Sequence, residues 1–484
     1  MSRSHLVARN VIVTLVTQLF MWGLTFGVTL YLPRYLKDTG LGTMTLVGSY
    51  AMIFSVFVSL GTSTALIKEI ARDRTRTGEL VSTALLMRLG LGLVAIAAGW
   101  LGTRLLGYSA SLQFFAVIAL VVMIVSQLGD VLSSALAGLE EFPRQNASLL
   151  VERALTSCLL IGLVIFHRPL WMFIGGSLLG SAVSICVSIY MLRERIAGAP
   201  RIRWSTVQSL ARAGVPFLMV GIFGATYGYS DALLLSKFSG VAAIGWYSLA
   251  KRLGGTTMVI PVALTSTMLP TLTRMFHEDR AAFGRASQRL LNMMTICVTP
   301  FAAVLILAPG KILTLLHYPA SYRNSIPVLM FMGSAVILWY LSQAVGTILI
   351  ASEKQAVFSK ITGIAALVSI PLCTTCILIT QRLMTNGAIG AMISDALLEL
   401  FMVIAYIRVL PGGIFEWRGV ALLGRTTVAA LPFAFSLYAM GGPHDLFWPL
   451  MGLLLYPFLC GLLRCFCRDD LQMLRQVTRK FSRA

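Results

Sequence analysis

Seven ionisable side chains stand out because they fall inside long apolar stretches: Arg88, Asp130, Asp231, Lys251, Arg252, Asp395 and Glu399. A charge at mid-bilayer depth costs at least ~2.5–3.5 kcal/mol, so such residues normally face a water-filled cavity or a partner. Asp231 lies nine residues before the turn near Gly240, and Lys251 and Arg252 lie eleven and twelve after it. At ~1.5 Å per helical residue their depths agree within ~5 Å, a gap that a Lys or Arg side chain spans. Two cations thus face one anion, as a buried ion pair pinning a hairpin or as fixed positive charge in a cavity. Arg88 and Asp130 also match in depth, each about nine residues from the same end of its segment. Asp130 shares a helix face with Ser126, Ser133, Ser134 and Ala137, which suits either helix packing or a cavity wall. Asp395 and Glu399, at i,i+4, have no basic residue at matching depth in the preceding segment. Such a pair would carry a coupling cation or proton, or would hold helices together by hydrogen bonds.

The elements that position these groups are transmembrane helices. Of 484 residues, 57% are hydrophobic and 12% charged, about half the charged share of a soluble protein. A soluble enzyme is excluded. Fourteen apolar segments of helical-span length run from 10–32 to 445–463, among them 213–236, 241–269 and 386–407. The first is too long for a signal-peptide core and no small-residue cleavage site follows it, so it reads as a retained span. The expected fold class is an all-α polytopic membrane protein. An even count puts both termini on one side. That side carries 28 Lys and Arg, the opposite side eight, and three lie inside spans, so both termini are expected in the cytoplasm. The net charge of +20 is dispersed over short loops and a tail. It therefore reads as topology and contact with anionic lipid headgroups rather than nucleic-acid binding.

The loops limit the chemistry. The longest polar stretches, 193–212 and 270–288, hold about 20 residues each, too few for a nucleotide-binding domain. Thr271–Leu291 reads as an amphipathic cytoplasmic helix, with Leu272, Met275, Phe276 and Phe283 against Arg274, Glu278, Arg280 and Arg285. No GxxxxGK[ST] loop and no GxSxG elbow occurs. Among the eight cysteines and five histidines, Cys373-x2-Cys376 has no second pair or His partner at ligand spacing, so no metal site is expected. Prolines 216, 261, 300, 371, 432 and 457 interrupt or open spans, where they break backbone hydrogen bonds and permit kinks. Movement across the membrane is favoured over catalysis at it, and no enzymatic activity is expected.

An internal repeat organises the chain. A shift of 203 residues superposes Leu30 on Leu233, Arg34 on Lys237, Gly42 on Gly245, and Thr62-Ser63-Thr64 on Thr265-Ser266-Thr267. Six spans separate the copies, an even number, so both have the same orientation. This is one of the two repeat plans of secondary transporters. The expected organisation is an N-terminal lobe at 1–205, a C-terminal lobe at 206–410, and two further spans with a basic tail at 411–484.

Three stretches resemble a known family. Gly61 through Arg72 follows a "GxxxALxxxIAR" pattern, after a "GLGxx" start to the second span at Leu41-Gly42. Ser230-Asp231-Ala-Leu-Leu-Leu235, Gly245-Trp-Tyr247-Ser-Leu-Ala-Lys-Arg252 and Leu269-Pro270-Thr271 follow "D-x-LLL … GxYxxAxR … PxL". With fourteen spans, the chain resembles the polysaccharide-biosynthesis flippases, such as the O-antigen transporters, of the multidrug/oligosaccharidyl-lipid/polysaccharide exporter superfamily.

The resemblance implies a polyprenyl-diphosphate-linked oligosaccharide as cargo, moved to the outer leaflet of the bacterial inner membrane for lipopolysaccharide or exopolysaccharide. It implies no cofactor, a Na+ or H+ gradient or the membrane potential as driving force, and polysaccharide polymerase and assembly proteins as partners alongside membrane lipids. The diphosphate would meet Arg252, Lys251 or Arg88, with Asp231 tuning them; Arg252 sits at the family's position and grips phosphate bidentately. Sugar hydroxyls would meet Thr14, Gln18 and Thr25 of the first span and Gln343 and Thr347 of the tenth, unless these make interhelical hydrogen bonds. Asp395, Glu399 and Asp130 are the ion-coupling candidates. A drug/cation antiporter would want an acidic cavity, and a peptidoglycan-precursor flippase would want charges in the first span, which has none between Arg9 and Arg34. A polysaccharide polymerase or ligase would need a long outward loop, whereas the longest runs Pro309–Ser325.

Overall fold

The computed structural model describes residues 3–193, 202–410, 418–440 and 447–465, with the backbone alone for 3–22, 24–26, 418 and 420. Among the described residues there are helices and no strands, as a lipid solvent requires of a chain that is not a closed barrel. The first nine helices are α1 (Arg3–Ser59), α2 (Thr62–Arg72), α3 (Thr77–Leu105), α4 (Ala110–Gly138), α5 (Phe142–Ile165), α6 (Leu170–Gly175), α7 (Ser177–Leu192), α8 (Trp204–Phe238) and α9 (Val241–Thr256). Eight follow: α10 (Val259–Glu278), α11 (Arg280–Leu307), α12 (Pro309–Leu315), α13 (Ser325–Ala351), α14 (Gln355–Met384), α15 (Gly387–Val409), α16 (Arg418–Ser436) and α17 (Phe447–Leu462).

The protein is a polytopic membrane protein. Ten described helical stretches are long and apolar enough to cross a bilayer, or eleven when α9 and α10 count as one span bent by 42°. Each of the fourteen expected segments falls on helix within a few residues, but the count on these criteria is lower. The first two share α1, which changes direction at Lys37 (φ 55, ψ −173), and the second continues into α2. The last two fall on the shorter apolar helices Ala421–Ser436 and Phe447–Leu462, the latter about 24 Å long at ~1.5 Å per residue.

Two compact units divide the chain: Met1–Ser248 with Ala366–Ile377, and Leu249–Ala365 with Leu378–Ala484. In the first, α4 packs against α1, α2, α3 and α7, and α8 packs against α1, α2 and α3. One core cluster holds Leu66, Ile70, Leu80, Leu132, Leu136 and Leu210, and another holds Val47, Tyr50, Leu120, Ile124 and Ile174. The repeat-mates Gly42 and Gly245 meet in this unit. A Cβ on Gly42 would strike the Val241 carbonyl and lie 2.9 Å from the Gly245 nitrogen, and one on Gly245 would strike Asp38. Trp246 Nε1 donates to Asp38 Oδ2 across the same crossing (3.2 Å). In the second unit α13 packs against α10, α11 and α15, while α16 and α17 pack on each other and α16 on α11.

Two prolines explain two tyrosines. Pro261 has no N–H to give the carbonyl of Thr257, and that oxygen accepts instead from the Ile260 amide (3.2 Å) and from the buried Tyr340 hydroxyl (2.6 Å). Pro300 likewise orphans the Ile296 carbonyl, which accepts from Tyr456 of α17 (2.6 Å). A span kinked by proline is re-satisfied from a neighbouring helix. Tyr340→Phe should therefore cost about 0.5–1.5 kcal/mol, the net worth of one hydrogen bond, since Ile260 still donates to the same oxygen, read as a lower unfolding midpoint in detergent. An unchanged midpoint would mean that the Ile260 amide alone satisfies the carbonyl.

The expected amphipathic helix Thr271–Leu291 is instead a corner between two spans. Asp279 is extended (φ −148, ψ 100) and caps α11, accepting from the amides of Ala281 (2.9 Å) and Ala282 (3.0 Å). The apolar stripe closes the corner on itself, with the rings of Phe276 and Phe283 5.1 Å apart.

Candidate functional site

Arg88 on α3 is the most buried ionic side chain described, 1% exposed, while its partner Asp130 on α4 is 48% exposed. Nη1 donates to Asp130 Oδ2 at 2.8 Å and to the Gln127 carbonyl at 2.5 Å, and Nη2 donates to Ser63 Oγ at 2.6 Å. Ser63 in turn donates to Asp130 Oδ2 at 2.7 Å, closing a ring that ties α2, α3 and α4 together. Sequence depth alone pairs Arg88 with Asp130; Ser63 is the member it misses. The guanidinium spends both terminal nitrogens inside the protein, so this site serves packing better than ligand capture. Ser133, on the Asp130 face, accepts from Gln145 Nε2 (3.2 Å), and Ser134 is buried.

Asp231 on α8 and Tyr247 on α9 are both buried, and the Tyr247 hydroxyl donates to Asp231 Oδ2. The aromatic in the Gly245-Trp-Tyr247 stretch is thus the carboxylate's partner. Lys251 follows Tyr247 by one helical turn, so the two share a face of α9, and Arg252 points roughly 100° away.

Arg252 belongs to the second unit and is half-buried. The hydroxyls of Tyr318 and Tyr322 lie within electrostatic reach of it, and among the described residues it forms no salt bridge. Both tyrosines come from the segment between α12 and α13, where Tyr322 is fully buried in the short helix Ala320–Asn324. That segment reads in the sequence only as a loop. A half-buried cation beside neutral hydroxyls has the chemistry to pair with an anion.

Asp395 and Glu399 lie one turn apart on α15 and are buried, at 5% and 6% exposure. Tyr406 of the same helix interacts electrostatically with Glu399, and its hydroxyl lies 2.9 Å from Thr362 Oγ1. On α13, Gln343 is exposed, whereas the Thr347 hydroxyl donates to the Gln343 carbonyl (2.8 Å) and so is spent within its helix. The side chains of Thr14, Gln18 and Thr25 lie outside the described residues. Glu152, inside α5, accepts from Ser181 of α7 (2.8 Å) and is a span carboxylate that is not among the sequence candidates. Among the described residues no group of three or more His, Cys, Asp or Glu is placed to hold a metal ion.

The model of the polysaccharide biosynthesis protein family matches residues 7–276, more than half of the sequence, and the chain belongs to that family. Solved structures share its fold. The lipid II flippase MurJ in an inward closed conformation matches with a TM-score of 0.61 at 13% identity, over 92% of this chain and 99% of that one. An inward-facing multidrug resistance transporter of the MATE family and MOP superfamily matches at 0.60 with 14% identity, over 84% and 94%. A MOP superfamily transporter from Pyrococcus furiosus, described as having a binding pocket of reversed polarity, matches at 0.52 with 15% identity, over 86% and 95%. No curated protein matches in sequence.

Proposed function

We propose that the protein is a flippase, not an enzyme, which carries a polyprenyl-diphosphate-linked oligosaccharide across the bacterial inner membrane for surface polysaccharide assembly. The observation that carries the reading is Arg252, half-buried, beside tyrosine hydroxyls and without a salt bridge among the described residues. A diphosphate supplies the missing negative charge, and a guanidinium grips it bidentately. Membership of the polysaccharide biosynthesis family and the shared fold with a lipid II flippase support a lipid-linked cargo. Two six-helix lobes would rock about the cargo, with both termini in the cytoplasm. The buried pair Asp395 and Glu399 would bind the coupling Na+ or H+. Polymerase and assembly proteins would receive the product.

Binding tests the charge assignment. Purified protein in detergent should bind polyprenyl diphosphate at least ~10-fold more tightly than the matching polyprenyl alcohol, given about 1.5–3 kcal/mol for hydrogen bonds to charged groups. Equal affinity for the two would show that the head group is not held by charge.

A further inference from the structure

We infer that the first unit holds a chamber for one neutral sugar bearing a small apolar substituent, the acetamido methyl being the best fit. The inference rests on the flippase reading above and names the part of the cargo that this unit recognises. The cavity measures about 250 Å³ and lies between α1, α4 and the α6–α7 region. Pockets for drug-sized ligands run to roughly 300–1,000 Å³, so this one takes a single ring rather than an oligosaccharide. Its walls include Met44, Met52 and Met123, and none of its lining residues is ionisable. A free diphosphate or a cationic drug would enter without counter-charge, at a desolvation cost that a neutral group avoids.

Two features indicate that the space is kept for a ligand. Gly48 lines it in mid-helix, where glycine is destabilising relative to alanine. Some helical glycines in this unit permit close packing, since a Cβ on Gly99 would strike Leu120 and one on Gly42 the Val241 carbonyl, while Gly90 and Gly162 meet nothing. A Cβ on Gly48 would meet nothing within 4 Å. Gly48 differs from Gly90 and Gly162 in lining the chamber, where a side chain would occupy the empty volume. The second feature is Gln127. It lines the chamber, and its side-chain oxygen is buried without a hydrogen-bond partner. A buried acceptor of this kind calls for a donor, which an acetamido N–H supplies while its methyl rests on the methionines. Ser126, exposed on the same wall, offers a hydroxyl to the ring.

The test compares two substrates in proteoliposomes: fluorescent polyprenyl diphosphate bearing N-acetylglucosamine, and the same lipid bearing glucose. Wild type should transfer the acetamido sugar faster. A Cβ at position 48 meets nothing and a helical glycine is replaced, so the unfolding midpoint of Gly48→Leu in detergent should not fall below wild type while its side chain occupies the chamber. Its transfer of the acetamido substrate should drop by roughly 10–200-fold, the discrimination an apolar pocket achieves, and that of the glucose substrate by less, so that the preference is lost. Gln127→Leu should shift the preference in the same direction. Equal slowing of both substrates would assign the chamber to the lipid tail and overturn the proposal, as would a Gly48→Leu protein indistinguishable from wild type. If Arg252→Ala loses transfer while Gly48→Leu keeps both substrates, the flippase reading stands and the chamber alone falls. If wild type moves neither lipid, both fall.

Discussion

Arg252→Ala should lower leaflet transfer of a polyprenyl-diphosphate sugar by ~10–100-fold, matching the about 1.5–3 kcal/mol of a charge-assisted hydrogen bond. The guanidinium is half-buried among Tyr318 and Tyr322, with no salt bridge described for it, so it contributes little to the unliganded fold. Removing it takes an uncompensated charge out of a poorly solvated place, and the unfolding midpoint should hold or rise. Arg252→Lys should keep part of the activity, since an ammonium restores the charge but not the planar fork. Arg252→Glu should be the most defective of the three. Lys251→Ala should be milder, because Lys251 lies on the Tyr247 face of α9. Transfer rates of the four variants, with their midpoints, settle the matter. Wild-type transfer by Arg252→Glu would remove the residue from the site.

Asp130→Ala should destabilise the protein by about 3–5 kcal/mol, the cost of leaving a buried charge without its partner. The reverse change should be much milder. Arg88 is 1% exposed and Asp130 48% exposed, so a stranded Arg88 has no water whereas a stranded Asp130 keeps some. Arg88→Met also replaces the buried charge with a side chain that suits apolar surroundings, and the double substitution should recover most of the loss of Asp130→Ala. Chemical unfolding of the three proteins in detergent measures this asymmetry. Equal losses for the two single variants would mean that the ring with Ser63 does not confine the charge as described.

Much of the fold is legible in the sequence because lipid leaves the backbone few options. An apolar run of about 20 residues must be a helix, and all fourteen runs fall on helix. The irregularities are less legible. The bend between α9 and α10 follows from Pro261, which the sequence displays, but the side-chain donor that stabilises it is Tyr340, 83 residues away from Thr257. The corner at Asp279 is not legible, because the surrounding amphipathic pattern points to one continuous helix. The site divides the same way. Depth along the membrane normal can be counted from the turns, and this count brings Arg88 to Asp130. Rotation about each helix axis cannot be counted, which is why Ser63 and Tyr247 escaped notice as partners of Asp130 and Asp231. Tyr318 and Tyr322 were hidden for another reason: a segment between spans carries no periodicity to show that it folds inward.

The measurement that bears most directly on the central claim is a paired assay on one batch of proteoliposomes. It follows leaflet transfer of a fluorescent polyprenyl-diphosphate oligosaccharide alongside efflux of a cationic dye, with and without a Na+ or H+ gradient. The flippase reading predicts gradient-stimulated transfer of the lipid-linked sugar and no dye movement above protein-free vesicles. Dye efflux without sugar transfer would contradict it and make the protein a cation antiporter.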